Sequence, residues 1–143
     1  MIRTVLLPIA AGILLSGCAT SYQSSGLTGG HQEQKAPGKL ELVGFSGNGF
    51  ISAELVQVYA TYRCAELAKS KNKPFFVMYN TLVAAALNKP SATPRVGSAH
   101  NKPIATTFVL MLDAPRPGAN NTDDVLTDLK KIIDSGKLEK SGT

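Results

Sequence analysis

The sequence predicts a small α+β domain, a mixed sheet with two helices packed on one face, in the order β-α-β-β-α. Three observations carry that expectation: a helical apolar period beginning at Ala53, β-prone runs on either side of it, and turn residues between them. The 143 residues are 43% hydrophobic and 17% charged, which suits a single domain rather than a disordered or multidomain chain.

Residues 1–17 read as an export signal. Arg3 supplies a positive start, and Val5 to Leu15 is an apolar stretch broken only by Pro8 and Gly12. At about 1.5 Å per residue that stretch covers roughly 16 Å, half of a hydrocarbon core of about 30 Å, so it is too short to span. Leu15-Ser16-Gly17-Cys18 follows at once and resembles the bacterial lipobox: Leu, a small residue, Gly or Ala, then Cys. The resemblance implies acyl transfer to the Cys18 thiol, cleavage before it and acylation of the new amine. A peptidase must hold the backbone closely at the cut, which suits the small side chains of Ser16 and Gly17. Cleavage leaves 126 of the 143 residues. Each buried methylene contributes about 0.8 kcal/mol, so two or three palmitate-like chains anchor firmly where one is marginal. Ala19 takes the position at which aspartate would retain an enteric lipoprotein in the inner membrane, so the outer membrane, on its periplasmic face, is the expected address.

Residues 18–38 are rich in Ser, Gly, Gln and Thr and are expected to be a flexible tether. The domain is expected over 39–135. Lys39 to Ser46 is a short β-prone run, punctuated by Gly47-Asn48-Gly49. Ser52 is placed to cap a helix with Glu54 in its first turn, and Val56, Tyr59, Ala60, Cys64 and Leu67 recur at helical spacing to about Lys69. Pro74 ends that pattern. Phe75 to Tyr79 is a buried strand with a possible extension through Leu82-Val83, and Ala84 to Leu87 reads equally as strand or helical turn. Pro90, Pro94, Gly97 and Pro103, together with Lys89, Arg95, His100 and Lys102, predict a long basic loop over 88–103. Ile104 to Leu112 is a further strand. Thr122 is placed to cap a second helix, with Asp123 and Asp124 in its first turn and Val125, Leu126, Leu129, Ile132 and Ile133 as its stripe; Gly136 stops it. Residues 136–143 are a polar tail.

The formal net charge is +5 and becomes +4 once Arg3 is removed. From Leu67 to Leu112 there are six basic residues and no acidic one, whereas the flanking thirds are nearly balanced. In the envelope, an anionic surface or an acidic periplasmic protein is a better counter-charge for that stretch than nucleic acid. With Cys18 acylated, Cys64 has no intramolecular partner, which excludes a disulfide framework. Beyond these cysteines only His31 and His100 would serve a structural zinc site, so no metal or other cofactor is expected.

Several of these residues together resemble a family of small, uncharacterised proteobacterial lipoproteins. They are the lipobox, Tyr22 with Gly29-Gly30, Phe45-Ser46-Gly47-Asn48-Gly49-Phe50, and the helix carrying Arg63-Cys64-Ala65-Glu66. The family pattern is Gly-Gly-aromatic, Gly-Asn-Gly-aromatic and Arg-x-Ala-Glu; His31 stands where the first aromatic is expected. The likeness spans Cys18 to about Tyr79 and implies an address and a fold but no activity.

Gly44-Phe45-Ser46-Gly47-Asn48 nearly spells a nucleophile elbow, but Asn48 replaces its last glycine and no histidine is placed as base. Gly47-Asn48-Gly49 lacks the rest of a phosphate-binding loop and reads as a turn needing positive φ. Cys64 lies on the apolar stripe as a small hydrophobe. Arg63 and Glu66, at i and i+3, are expected to pair, with reception of an anionic ligand by Arg63 as the alternative. Lys89, Arg95, His100 and Lys102 are the candidate contacts to an anionic envelope surface. The expected function is a lipid-anchored envelope protein with a non-catalytic interaction or structural role in the periplasm. The alternative is a small-ligand or stress-signal binding domain with its pocket between the first helix and the basic loop.

Overall fold

The computed structural model describes residues 22–26 and 29–136; the segment expected to be an export signal, Cys18 and the tail from 137 lie outside the described residues. An open six-stranded sheet carries α1 and α3 on one face, the α+β class that the sequence predicts. Its elements are β1 (Gly30–Lys35), β2 (Glu41–Ser46), α1 (Ala53–Ser70), β3 (Phe75–Tyr79), α2 (Leu82–Ala86), β4 (Arg95–Ala99), β5 (Lys102–Leu112), β6 (Asn120–Asn121) and α3 (Thr122–Ser135).

The strands run in the order β1-β2-β5-β3-β6. The first half of β5 pairs with β4 along the edge whose second half takes β3, while β2 lies along its other edge. Every pairing is antiparallel, so the sheet is not mixed. The reason is topological: β2 and β3 run in the same direction, but β5, which comes later in the chain, separates them.

Strand alternation puts Val43, Phe45, Ala105, Val109, Phe76 and Met78 on the face beneath α1, where all are fully buried. Val56, Tyr59, Ala60, Cys64, Ala65 and Ala68 meet them from α1, and Val125 and Leu126 of α3 close one flank. Burial of a side chain as large as Phe45 or Phe76 contributes about 2–3 kcal/mol. Small residues on the buried stripe of α1 let the helix lie close to the sheet.

Ser52 caps α1 as expected, its Oγ accepting from the Leu55 N–H at 3.1 Å. For α3 the cap is Asn121 rather than Thr122: Asn121 Oδ1 accepts from the N–H groups of Asp123 (3.0 Å) and Asp124 (3.1 Å). Thr122 is buried, and its Oγ1 donates to the Lys73 carbonyl at 2.8 Å. Gly136 ends α3 in the left-handed region at φ 61°. After β3 the chain turns into α2 instead of extending as a strand, because Thr81 Oγ1 accepts from the Ala84 N–H at 2.9 Å and starts a helical turn.

Two further expectations are overturned. The segment 18–38 is not wholly a tether, since β1 pairs residue for residue with β2 from Gly30↔Ser46 to Lys35↔Glu41. β1 is an edge strand whose Gln32, Glu33, Gln34 and Lys35 are exposed; a polar edge resists pairing with other chains and reads in sequence as a linker. The long basic loop is likewise mostly ordered, with β4 and β5 forming a hairpin from Arg95↔Thr106 to Ala99↔Lys102. His100 (φ 52°) and Asn101 (φ 60°) make its two-residue turn, with the positive φ at both positions that a right-twisted hairpin favours.

Gly47 is a matter of space rather than of positive φ. A Cβ there would lie 2.0 Å from Ile51 Cγ2 and 3.0 Å from Val56 Cγ1, so the turn after β2 presses its backbone onto the start of α1. Gly47→Ala should cost about 1–3 kcal/mol in denaturant unfolding through overpacking. Gly49→Ala, with nothing within 4 Å of the new Cβ, should stay within about 0.5 kcal/mol of the parent.

Candidate functional site

Arg63 projects from α1 beside the edge strand, and the alternation of β1 puts His31 and Glu33 on the same side of the sheet. Arg63 Nε donates to Glu33 Oε1 at 2.5 Å, and its Nη1 donates to Glu66 Oε2 at 2.9 Å. The Tyr22 hydroxyl also donates to Glu66 Oε2, and His31 Nδ1 lies 2.9 Å from Glu33 Oε1. One guanidinium thus joins α1, the edge strand and the segment preceding it.

Apolar contacts complete the clasp. The Tyr22 ring lies 5.1 Å from Tyr62, edge-on, 5.5 Å from Tyr59 and 5.4 Å from His31 between centroids. The His31 N–H donates to the Gln23 carbonyl at 2.9 Å, which holds the Tyr22 segment against the start of β1. Gly30 permits that approach: its φ is 134°, and a Cβ would lie 2.4 Å from the Ser24 carbonyl oxygen. Tyr22, Gly29-Gly30-His31 and Arg63-x-Ala65-Glu66, separate motifs in the sequence, therefore meet in one place.

Burial alone would raise the Glu33 carboxyl, but the hydrogen bond and charge of Arg63 outweigh it and hold the group below its usual range. For Arg63 burial works to lower the value, and its bonds to Glu33 and Glu66 hold it protonated far above physiological pH. Burial, with Glu66 as partner, keeps the Tyr22 phenol neutral and able to donate. The expected Arg63–Glu66 pair is present, and Glu33 is a second carboxylate partner of Arg63. Cys64 is fully buried on the stripe, and burial pushes its thiol well above the ordinary range.

The four candidate surface cations do not form one cluster. Lys89 follows α2, whereas Arg95, His100 and Lys102 belong to the β4–β5 hairpin. All four are exposed, and among the described residues none pairs with a carboxylate. A depression of about 480 Å³ lies between the start of α1 and the hairpin, but Ile51, Ala53, Val96 and Pro103 line it, with neither Arg63 nor Arg95. Ser46 faces away from α1 in a shallow depression with Gln32, Gln34 and Thr106, and neither histidine lines it.

A different concavity, which sequence reasoning missed, lies on the sheet face away from α1. It encloses about 550 Å³ between α2 and the turn joining β1 to β2, over Leu110 and Tyr79. Leu40, Leu82 and Ala86 form apolar walls, and Lys39, Asn88 and Arg116 supply the polar groups. Arg116 Nη2 donates to the Tyr79 hydroxyl, which donates to Asn88 Oδ1 at 3.0 Å. Arg116 follows Pro115 in a turn-rich stretch, a context that gives no hint of a binding role.

No family model matches the chain, and neither a curated protein nor a solved structure does.

The clasp makes two outcomes testable. Arg63→Ala leaves the Glu33 and Glu66 carboxylates without their cation and should cost about 2 kcal/mol in chemical denaturation, with Tyr22→Phe nearer 1 kcal/mol. Because the Glu33 value is depressed on folding, its stabilisation is complete above the unfolded carboxylate range, near pH 4.3, and is lost as pH falls through the lower folded value. In an acid titration the stability of the parent should therefore converge on that of Arg63→Ala; parallel curves down to pH 2 would show that the pair contributes nothing.

Proposed function

We propose that the chain is a lipid-anchored envelope protein, acylated at Cys18, with a non-catalytic interaction role at the periplasmic face of the outer membrane. The lipobox supports the anchor. The observation that supports the geometry is Tyr22, four residues after Cys18, tied into the clasp. An extended chain covers at most about 3.6 Å per residue, so those four residues reach about 14 Å. Acyl chains at Cys18 would then hold the folded domain close to the head groups rather than at the end of a long tether.

One end of the sheet suits that placement. Gly30, Ser46 and Ile104 lie in one row across β1, β2 and β5, so the Tyr22 segment, the Gly47–Phe50 turn and the hairpin turn leave from the same end. Phe50, 53% exposed, together with His100 and Lys102, puts an aromatic ring, an imidazole and a lysine with no carboxylate partner among the described residues at the end of the sheet proposed to face the anchor. Apolar rings partition into the head-group boundary, and cations are drawn to anionic lipid. Among the described residues no helix is long and apolar enough to cross a membrane. A second reading, a small-ligand binding domain, draws on the concavity at Arg116 instead of on Arg63 or the hairpin.

In cells given labelled palmitate, the parent chain should take up label and sediment with membranes, and Cys18→Ser should do neither. An unlabelled parent, or a mature N-terminus other than Cys18, overturns the anchor. In the unacylated chain, neutralising Lys89, Arg95, His100 and Lys102 together should weaken sedimentation with anionic liposomes, by about 1 kcal/mol for each basic residue at the surface. Binding to liposomes or peptidoglycan that is unchanged by those substitutions and by salt eliminates the surface contact.

A further inference from the structure

The clasp and the concavity differ in how charge is balanced. At Arg63 every charge has a partner: the guanidinium meets two carboxylates, and the neutral phenol of Tyr22 donates to one of them. At the concavity the balance is missing. Lys39 and Arg116 both line it, no Asp or Glu does, and neither cation has a carboxylate partner among the described residues. Arg116 Nε is buried with no hydrogen-bond partner among the described residues, although a buried donor of this kind ordinarily has one.

The rest of the lining is apolar. Leu110 of β5 forms the floor, and Leu40, Pro37, Leu82, Ala85 and Ala86 stand around it. Leu82, in the lining, is 42% exposed, and Val83 and Leu87 of the same α2 segment are 67% and 60% exposed. A site with a cationic end, a hydroxyl and an amide beside it, and an apolar body fits a molecule of the same division. The volume of about 550 Å³ lies within the range of small-molecule sites.

We propose that this concavity binds an amphipathic anion, a carboxylate or phosphate head on a straight hydrocarbon body, with Arg116 receiving the head beside Tyr79 and Asn88. Lys39 adds charge at the rim, and the chain of the ligand lies over Leu110 between Leu40 and α2. A planar guanidinium suits either head, because it presents paired donors to two oxygens. The inference rests on the small-ligand reading and is independent of anchoring: the cavity includes the β1–β2 turn, at the end of the sheet opposite to the Tyr22 segment.

The test uses the whole chain carrying Cys18→Ser, which acyl transfer cannot load, in lipid-free buffer, so that failure of the anchor leaves the result intact. Calorimetric titrations run below micelle formation with decanoate, with 1-decanoyl glycerol 3-phosphate and with neutral decanol. Saturable one-to-one binding of at least one anion is expected, at least tenfold tighter than decanol, and the tighter anion identifies the head as free carboxylate or lipid phosphate. Arg116→Gln should weaken the anion at least tenfold while leaving decanol nearly unchanged. Ala86→Trp, on the exposed surface of α2, should weaken all three by filling the cavity. Decanol as tight as both anions, no saturable binding of either, or anion affinity unchanged in a folded Arg116→Gln chain would overturn the proposal. If Arg116→Gln does not fold, undiminished binding to Ala86→Trp has the same force.

Discussion

Strand β5 must pair along both edges, because its backbone runs through the middle of the sheet where unpaired N–H and C=O groups would be expensive. β2 takes one edge; β4 and β3 share the other in succession. That arrangement fixes most of what surrounds it. It places β2 and β3 parallel without contact, forces the chain between them over one face as α1, and exposes β1 as the outer edge of the sheet. The small buried residues of α1 follow from the same geometry, since a helix lying across Val43, Val109 and Phe76 must sit close to bury them.

An edge strand with exposed polar side chains gains little from hydrophobic burial, so side-chain chemistry has to hold it. The Arg63 guanidinium serves that purpose through Glu33, and through Glu66 it also retains Tyr22. The energy of such a cluster comes from geometry as much as from charge. Arg63 is only part-buried, and a loose ion pair at that exposure would be worth little. Ring contacts around Tyr22 restrict the alternatives open to these side chains and keep the hydrogen bonds in place.

Balanced and unbalanced charge then divide the molecule by role. Balanced charge at the clasp is structural: it ties Tyr22 and the edge strand to α1. Charge with no carboxylate partner among the described residues is found at the hairpin, at the same end of the sheet as Phe50, and at the other end in the concavity with Arg116. Cations that lack a carboxylate partner among the described residues, set at an apolar boundary, have the chemistry that complements an anionic amphiphile.

Local chemistry is legible without a fold, and the sequence alone determined the features that depend on it. The bounds of α1 and its Ser52 cap, β3 from Phe75 to Tyr79, the αL stop at Gly136, the burial of Cys64 and the Arg63–Glu66 pair all follow from spacing within one element. Elements whose identity comes from a distant partner were hidden. β1 is polar because it is an edge, and β4, which contains Gly97 and follows Pro94, pairs with the Pro103 end of β5 across a turn that uses His100 and Asn101 instead of the usual Asn-Gly. The same holds for the sites. Arg63 could be picked out in the sequence, but its partner Glu33 is 30 residues away, and Arg116 meets Tyr79 across 37 residues. Only the tertiary structure decided which cations meet a carboxylate and which have none among the described residues, because the electrostatic balance of a site depends on distances that chain order does not contain.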